Sequence, residues 1–187
     1  MYMHNTEDKK YWVEKYGLNH EYRFIEILKD FDGYDLDINP DKKNSPTSID
    51  FIWQEDLADL KTQTTPFFTS KRYGIDTQYA VTFNKIDYQR YLDYEKSTKK
   101  NVYVFFWIDW KQLTWKDKNT HYLFGIYYAS LKNIKKMISD GAPEHSYIRR
   151  RFDTKGNAKS SFILDIRKFN SIIQNTNREN VKSDYLA

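Results

Sequence analysis

The sequence contains no cysteine among its 187 residues. Disulfides, zinc–thiolate sites, iron–sulfur clusters and thiol catalysis are therefore excluded. Glycine and proline are scarce, with 6 and 4 copies, which predicts regular elements joined by short links. The 4 histidines are scattered and show no metal-ligand spacing. The chain also has no glycine-rich phosphate loop and no G-x-S-x-G motif, which argues against nucleotide hydrolysis and serine-hydrolase chemistry.

Long apolar runs are also missing. The longest, Val102 to Ile108, is far too short to span a bilayer, and Met1 to Lys10 is polar and lacks the apolar core of a signal peptide. We therefore expect a cytoplasmic protein without membrane association. Aromatic residues make up 18% of the chain, which is enough apolar mass for a core. The tryptophans Trp107, Trp110 and Trp115 are assigned to core or strand-edge packing rather than to base stacking.

Charge is unevenly distributed along the chain. The formal net charge is +4, and from Lys132 onward basic residues outnumber acidic ones by two to one. A basic region of this kind is typical of a polyanion-binding surface, but the charge alone favours an ordinary solvated face. Two clusters are the candidates for nucleic-acid binding, a loop and a basic hairpin. They comprise Lys71, Arg72 and Tyr73 in the loop and Arg149, Arg150 and Arg151 in the hairpin.

Hydrophobic periodicity predicts a single domain over residues 1–187 that alternates helices and strands. The order of elements predicts an α/β (α+β) fold with a mixed central sheet flanked by helices. The polar tail after about Asn170 is expected to fray. The predicted helices cover about 19–30, 85–97 and 131–139, and the predicted strands cover 34–38, 48–53, 57–62, 102–110, 122–128, 145–151 and 161–166.

The candidate catalytic residues are concentrated in the short segment from Asp50 to Gln63. Alternate residues of a strand share a face, so Asp59, Lys61 and Gln63 point to the same side of the predicted strand 57–62 and its end. Asp50 lies on the preceding strand across a short link, which predicts an antiparallel pair with the two carboxylates close together. Carboxylates held together need a cation, and oxygen ligands without nitrogen or sulfur favour Mg²⁺ or Mn²⁺. A surface hairpin with an accidental Asp–Lys pair is the alternative.

A third carboxylate, Glu21, is expected to be buried. Glu21 shares a helical face with Phe24, Ile25 and Leu28, which should pack against the core. A carboxylate on a buried face needs a partner, and a metal site beneath the sheet would provide one.

These residues together resemble the PD-(D/E)xK nuclease superfamily, in particular its small phage-type or resolvase-like members. The resemblance consists of Glu21 on a first helix, Asp50 on a strand and Asp59-Leu60-Lys61 on the next strand. Gln63 matches an extended form of the motif. The residue before Asp50 is isoleucine and not the proline of the motif's name.

The resemblance implies a restriction-endonuclease-like fold and a Mg²⁺-dependent (or Mn²⁺-dependent) deoxyribonuclease whose partner is DNA. It implies that Asp50, Asp59, the Leu60 carbonyl and Glu21 hold the metal, that Lys61 positions the attacking water and that Gln63 supports it. Both a monomer and a homodimer remain open. The alternative is a catalytically inactive nuclease-fold module that binds nucleic acid or inhibits a partner protein. The intact set of Asp50, Asp59 and Lys61 argues against that alternative.

Overall fold

The computed structural model describes residues 18–45, 48–146 and 160–187. Three α-helices occur in this part of the chain: α1 (Leu18–Leu28), α2 (Lys85–Thr98) and α3 (Leu131–Ser139). The strands of the same residues are β1 (Leu36–Ile38), β2 (Phe51–Trp53), β3 (Asp56–Gln63), β4 (Ala80–Asn84), β5 (Val102–Asp109), β6 (Thr114–Trp115), β7 (Lys118–Asn119), β8 (Phe124–Ser130), β9 (Glu144–Ser146), β10 (Ser160–Asp165) and β11 (Asn170–Asn175).

Six strands form the central sheet, in the order β1-β2-β3-β5-β8-β11. Only β3 and β5 run parallel, with Asp59 opposite Val104 and Lys61 opposite Phe106. The other neighbouring pairs are antiparallel, and the sheet is therefore mixed. A parallel pair needs a crossover connection, and here the chain between β3 and β5 includes β4 and α2.

The strand β5 lies inside the sheet because its sequence is apolar on both faces. Val104 and Phe106 point into one core cluster, and Phe105 and Trp107 point into the other. Helix α1 covers the second cluster with Phe24 and neighbouring apolar residues. Helices α2 and α3 cover the first cluster, together with a small antiparallel sheet of order β4-β10-β9. The central sheet is therefore covered on both faces.

The mixed central sheet flanked by helices is confirmed, as is the antiparallel pairing of β2 with β3. The antiparallel pairing of β9 with β10 confirms the base of the predicted hairpin at 145–151 and 161–166, whose connecting residues, including Arg149, Arg150 and Arg151, lie outside the described residues. Strand β4 forms between the predicted irregular stretch, which ends at Ala80, and the predicted helix from Lys85, where the sequence analysis assigns no element. In the part of the chain that the structure describes, no helix has the length and apolarity needed to cross a membrane.

The chain after Asn170 does not fray as its polar composition predicts. It forms β11, which pairs with β8 at the edge of the central sheet. The following turns bury Val181 and Tyr185 in the core cluster beneath α1. The indole N–H of Trp107 donates a 3.0 Å hydrogen bond to the Tyr185 carbonyl. A few apolar side chains are thus enough to dock an otherwise polar tail.

Candidate active site

Asp50 lies at the point where β2 begins, beside the middle of β3. The register pairs Phe51 with Ala58, so Asp50 is one step further along, next to Asp59. Its Oδ2 accepts a 2.9 Å hydrogen bond from the backbone N–H of Leu60. Because the N–H and C=O of one residue point to the same side of a strand, the Leu60 carbonyl faces the Asp50 side as well. The structure therefore brings together two of the predicted carboxylates and the predicted carbonyl.

Glu21 is buried on α1, with 6% of its surface exposed, and an ion pair with Lys42 links it to Asp50. The ammonium of Lys42 lies between them and forms an ion pair with each carboxylate. One Glu21 oxygen, Oε2, is buried and has no hydrogen-bond partner among the described residues. Lys42 therefore occupies the place between these two carboxylates that a metal ion would be expected to take.

A capped turn holds Lys42 in this place. Residues Pro40–Lys43 form a short 3₁₀ helix, and the Asn39 side chain caps it by accepting a hydrogen bond from the Asp41 amide. Proline at the first position of the turn has the backbone angle that a helical turn requires. The Asn39 side-chain amide donates to the Ile49 carbonyl at 3.0 Å, and the Asn39 N–H donates to the Asp50 carbonyl at 2.9 Å. The turn is thereby fixed to the chain that carries Asp50.

Asp59 and Lys61 share the face of β3 that packs against α2. Lys61 Nζ lies 2.9 Å from Asp59 Oδ2 and 2.8 Å from Asp87 Oδ2 on α2. Arg90 forms a second ion pair with Asp87, at 3.1 Å. The ring of Tyr91 lies beneath both cations, with Lys61 Nζ 5.4 Å and the Arg90 guanidinium carbon 5.2 Å from its centre. Helix α2 therefore fixes the Lys61 ammonium beside Asp59.

Burial and neighbouring charges shift the pKa values of these groups. Asp59 has 2% of its surface exposed, and burial together with the Asp50 charge raises its pKa to about 6. Burial and the Glu21 charge raise the pKa of Asp50. Burial alone would lower the pKa of Lys61, but Asp59 and other acidic neighbours outweigh it and raise that pKa well above its usual value. Lys61 therefore stays positively charged, and it lies next to Asp59, whose ionised form is disfavoured by burial.

The site is a row of charged residues whose signs nearly alternate. It contains four carboxylates and three cations. Without Lys42 the formal charge would be −2, which a divalent cation would neutralise. In order along the row, the seven charged residues are Glu21, Lys42, Asp50, Asp59, Lys61, Asp87 and Arg90.

The donor set fits Mg²⁺ or Mn²⁺ in chemistry, because it consists of carboxylate and carbonyl oxygens, among them the buried Glu21 Oε2, which lacks a hydrogen-bond partner among the described residues. Within residues 18–45, 48–146 and 160–187, however, no three acidic or histidine side chains gather closely enough to hold a metal ion. The ion pairs of Lys42 keep Glu21 on the far side of an ammonium from Asp50. Binding of a metal by the full predicted set requires Lys42 to move.

Gln63 ends β3, and its side chain binds the backbone of β4. Its side-chain amide donates a 2.8 Å hydrogen bond to the Thr82 carbonyl and accepts one of 3.3 Å from the Thr82 N–H. Gln63 therefore connects the central sheet to β4. Both ends of its amide are occupied in this structure, so we assign it a role in holding the two sheets together.

The loop candidates lie beyond the end of β3, and among the described residues no hydrogen bond or ion pair links them to Asp59 or Lys61. Lys71, Arg72 and Tyr73 form a 3₁₀ turn with Ser70, and the two basic side chains are exposed. The Tyr73 hydroxyl lies 2.9 Å from His145 Nδ1 on β9.

The sequence prediction missed four residues of the site. Asp87, Arg90 and Tyr91 lie three or four positions apart on α2, and this spacing places them on one helical face. A charged pair on the same face as a buried tyrosine was a detectable signal. Lys42 gave no signal, because it is one of two adjacent lysines in a polar loop and only the tertiary fold brings it to Glu21 and Asp50.

Comparisons of the chain with protein-family models, with curated proteins and with solved structures yield no match.

Proposed function

We propose that the protein is a metal-dependent nuclease that hydrolyses phosphodiester bonds in DNA, acting in the cytoplasm with Mg²⁺ or Mn²⁺. The observation that carries the proposal is the position of Asp50 next to the buried Asp59, beside a fixed Lys61. The order of elements adds support: α1, the antiparallel strands β1 to β3, then α2, then β5 parallel to β3. This order resembles the core of the PD-(D/E)xK nucleases, whose restriction-endonuclease-like fold we propose for the chain.

Asp50, Asp59 and the Leu60 carbonyl are the residues that would hold the metal, with Glu21 joining when Lys42 moves. A divalent cation in such a site polarises a phosphoryl oxygen and lowers the pKa of bound water. The high desolvation cost of the Asp59 carboxylate supports this assignment, because a cation would relieve the charge that burial disfavours.

Lys61 would stabilise the negative charge that develops on the phosphoryl group and hold the attacking water. A fixed donor of this kind contributes because it needs no reorganisation at the moment of reaction. Asp87 on α2 limits the movement of the Lys61 ammonium through its 2.8 Å ion pair. Asp87 and Tyr91 are therefore proposed as positioning residues for Lys61.

The experiment that tests this function combines metal binding with cleavage. Calorimetric titration of Mg²⁺ or Mn²⁺ should show binding to the wild-type protein that is lost in Asp59→Asn, which keeps the shape of the side chain. The wild-type protein should cleave end-labelled DNA only when the metal is present. Equal metal binding by wild type and variant would refute the ligand assignment, and the absence of cleavage with either metal on single-stranded, duplex and forked DNA would refute the nuclease.

The ion pairs of Lys42 favour a second candidate, a nuclease-fold module without turnover that binds nucleic acid or inhibits a partner protein. In that case Lys42 would be a permanent substitute for the metal, and Glu21 and Asp50 would serve stability alone. The same titration separates the two candidates. A protein that binds DNA but neither Mg²⁺ nor Mn²⁺ would support the module.

A further inference from the structure

A short hairpin follows the central strand β5 and projects an exposed tryptophan. Strands β6 and β7 pair Thr114 with Asn119 and Trp115 with Lys118, and we call residues 114–119 the Trp115 hairpin. Trp115 has 40% of its surface exposed, whereas Trp107 and Trp110 are buried as predicted. Trp115 lies on a strand of this two-stranded hairpin, in agreement with the predicted strand-edge packing, and part of its indole stays exposed. The exposed part of the indole is available to a ligand.

Two lysines surround this indole. Lys116 Nζ lies 4.8 Å and Lys118 Nζ 5.7 Å from the centre of the Trp115 ring. Lys116 adopts a left-handed backbone angle, φ 53°, at a turn position that asparagine or glycine would occupy with less strain. The strained backbone holds a lysine where a neutral turn residue would fold more easily. One acidic residue, Asp117, lies at the tip, 3.5 Å from Lys118.

The hairpin borders the end of the sheet that carries the candidate active site. The N–H of Lys111 donates a 2.9 Å hydrogen bond to the carbonyl of Thr64, the residue after β3 ends. The chain that leads into the hairpin is therefore attached to the end of β3.

The loop after β3 supports the hairpin from one side. The ring of Phe68 stacks against Trp115, with ring centres 6.2 Å apart and an angle of 29° between the planes. Phe68 itself is buried, so it fixes one side of the indole. An exposed cation over an indole is held more weakly than a base stacked on an aromatic ring. An incoming base can therefore displace a lysine, whose ammonium is then free to meet a phosphate.

We propose that the Trp115 hairpin binds unpaired bases of the DNA substrate, with Trp115 stacking on a base and Lys116 and Lys118 contacting the flanking phosphates. Aromatic stacking beside a basic groove is how proteins hold single-stranded nucleic acid without reading its sequence. Bases in an intact duplex are stacked on each other and do not present a free face. The substrate class is therefore DNA with a single-stranded segment. This inference rests on the proposed function, because it takes DNA as the substrate.

The test is a binding measurement that does not depend on cleavage. Fluorescence anisotropy with a labelled thymidine homopolymer and with a blunt duplex, both in EDTA, gives the two affinities for each variant. Trp115→Ala should weaken binding of the single strand by about 5- to 150-fold and leave duplex binding unchanged. Trp115→Phe should retain most of the affinity, since it keeps an aromatic face. Leu113→Ala is the matched control, because it removes the neighbouring exposed apolar side chain.

The lysines are tested by salt dependence. Replacing Lys116 and Lys118 by glutamine should reduce the slope of log affinity against log salt by about 0.7 for each phosphate of the single strand that the protein no longer neutralises. Wild-type affinity for the single strand in Trp115→Ala, or an equal loss of affinity for single strand and duplex, would overturn the inference. Trp115-dependent binding in a protein that cleaves no DNA would support the hairpin and refute the proposed nuclease. DNA cleavage by a protein whose binding of the single strand does not depend on Trp115 would support the proposed nuclease and overturn the role of the hairpin.

Discussion

Replacing Lys42 by methionine should make the stability of the protein depend on a divalent cation. The ammonium forms ion pairs with Glu21 and Asp50, and its side chain is 9% exposed. Methionine keeps an unbranched side chain that is one atom shorter, and it removes the charge. Two carboxylates would then face each other in a site from which water is largely excluded. Breaking a buried pair by removing one partner costs about 3–5 kcal/mol, because the remaining charge is left uncompensated.

This loss of unfolding free energy corresponds to a lower melting temperature, Tm. For a domain of this size, each kcal/mol corresponds to roughly 2–4 °C in Tm, so Lys42→Met should melt roughly 6–20 °C lower than wild type in EDTA. A cation that binds only the folded state at about 100 times its Kd restores about 2.7 kcal/mol. Mg²⁺ or Mn²⁺ should therefore recover much of the loss. The wild-type protein should gain less, because the metal must first displace the ammonium.

The assay is thermal and urea unfolding of both proteins in EDTA and in increasing concentrations of Mg²⁺. Lys43→Met is the matched control, since Lys43 is the next residue and is exposed. It should unfold like wild type under every condition. If Lys42→Met is as stable as wild type in EDTA, or gains no more from metal than wild type does, then Lys42 does not occupy a cation site and the reasoning is wrong.

Two further predictions concern the buried carboxylate and the tail. Burial and Asp50 raise the pKa of Asp59 from 3.8 to about 6, so its contribution to stability is present below about pH 4 and is lost as the pH rises through 6. In EDTA, wild type should therefore lose up to about 3 kcal/mol between pH 4 and 7 that Asp59→Asn does not lose, and parallel urea-unfolding profiles would contradict this. Tyr185→Ala should lower the free energy of unfolding by about 3–5 kcal/mol, because its ring is 6% exposed and packed beneath α1. Tyr22→Ala, at a ring that is 57% exposed, should change it by less than about 0.5 kcal/mol, and equal effects would show that the tail is not docked.

The sequence was sufficient to predict the central sheet where its pattern was strong. The alternation around Phe51 and Trp53 and the short link to β3 predicted an antiparallel pair, and the continuous apolar run of β5 predicted a central strand. Strand β4 was missed because five residues after a polar stretch carry little periodic signal. Strand β11 was missed because polar residues occupy four of its six positions, and its pairing with β8 comes from tertiary contact.

The candidate site also contains residues that the sequence predicts and residues that it does not. Asp50, Asp59 and Lys61 lie within twelve residues on paired strands, so local geometry alone predicts that they meet. Lys42 and Asp87 reach the same site from a loop and a helix, and no spacing rule connects them to it. The sequence therefore predicted the acidic pair and its lysine, but not the cation that lies between Glu21 and Asp50.

The most direct test of the central claim is the single-turnover cleavage rate of Lys61→Met at saturating enzyme and Mg²⁺, measured on end-labelled DNA. If Lys61 acts in the chemical step, the rate should fall by about 10²–10³, while affinity for DNA in EDTA remains close to wild type. Lys96→Met, at an exposed lysine of α2, is the matched control and should cleave like wild type. Cleavage by Lys61→Met at a rate near that of wild type would contradict the account.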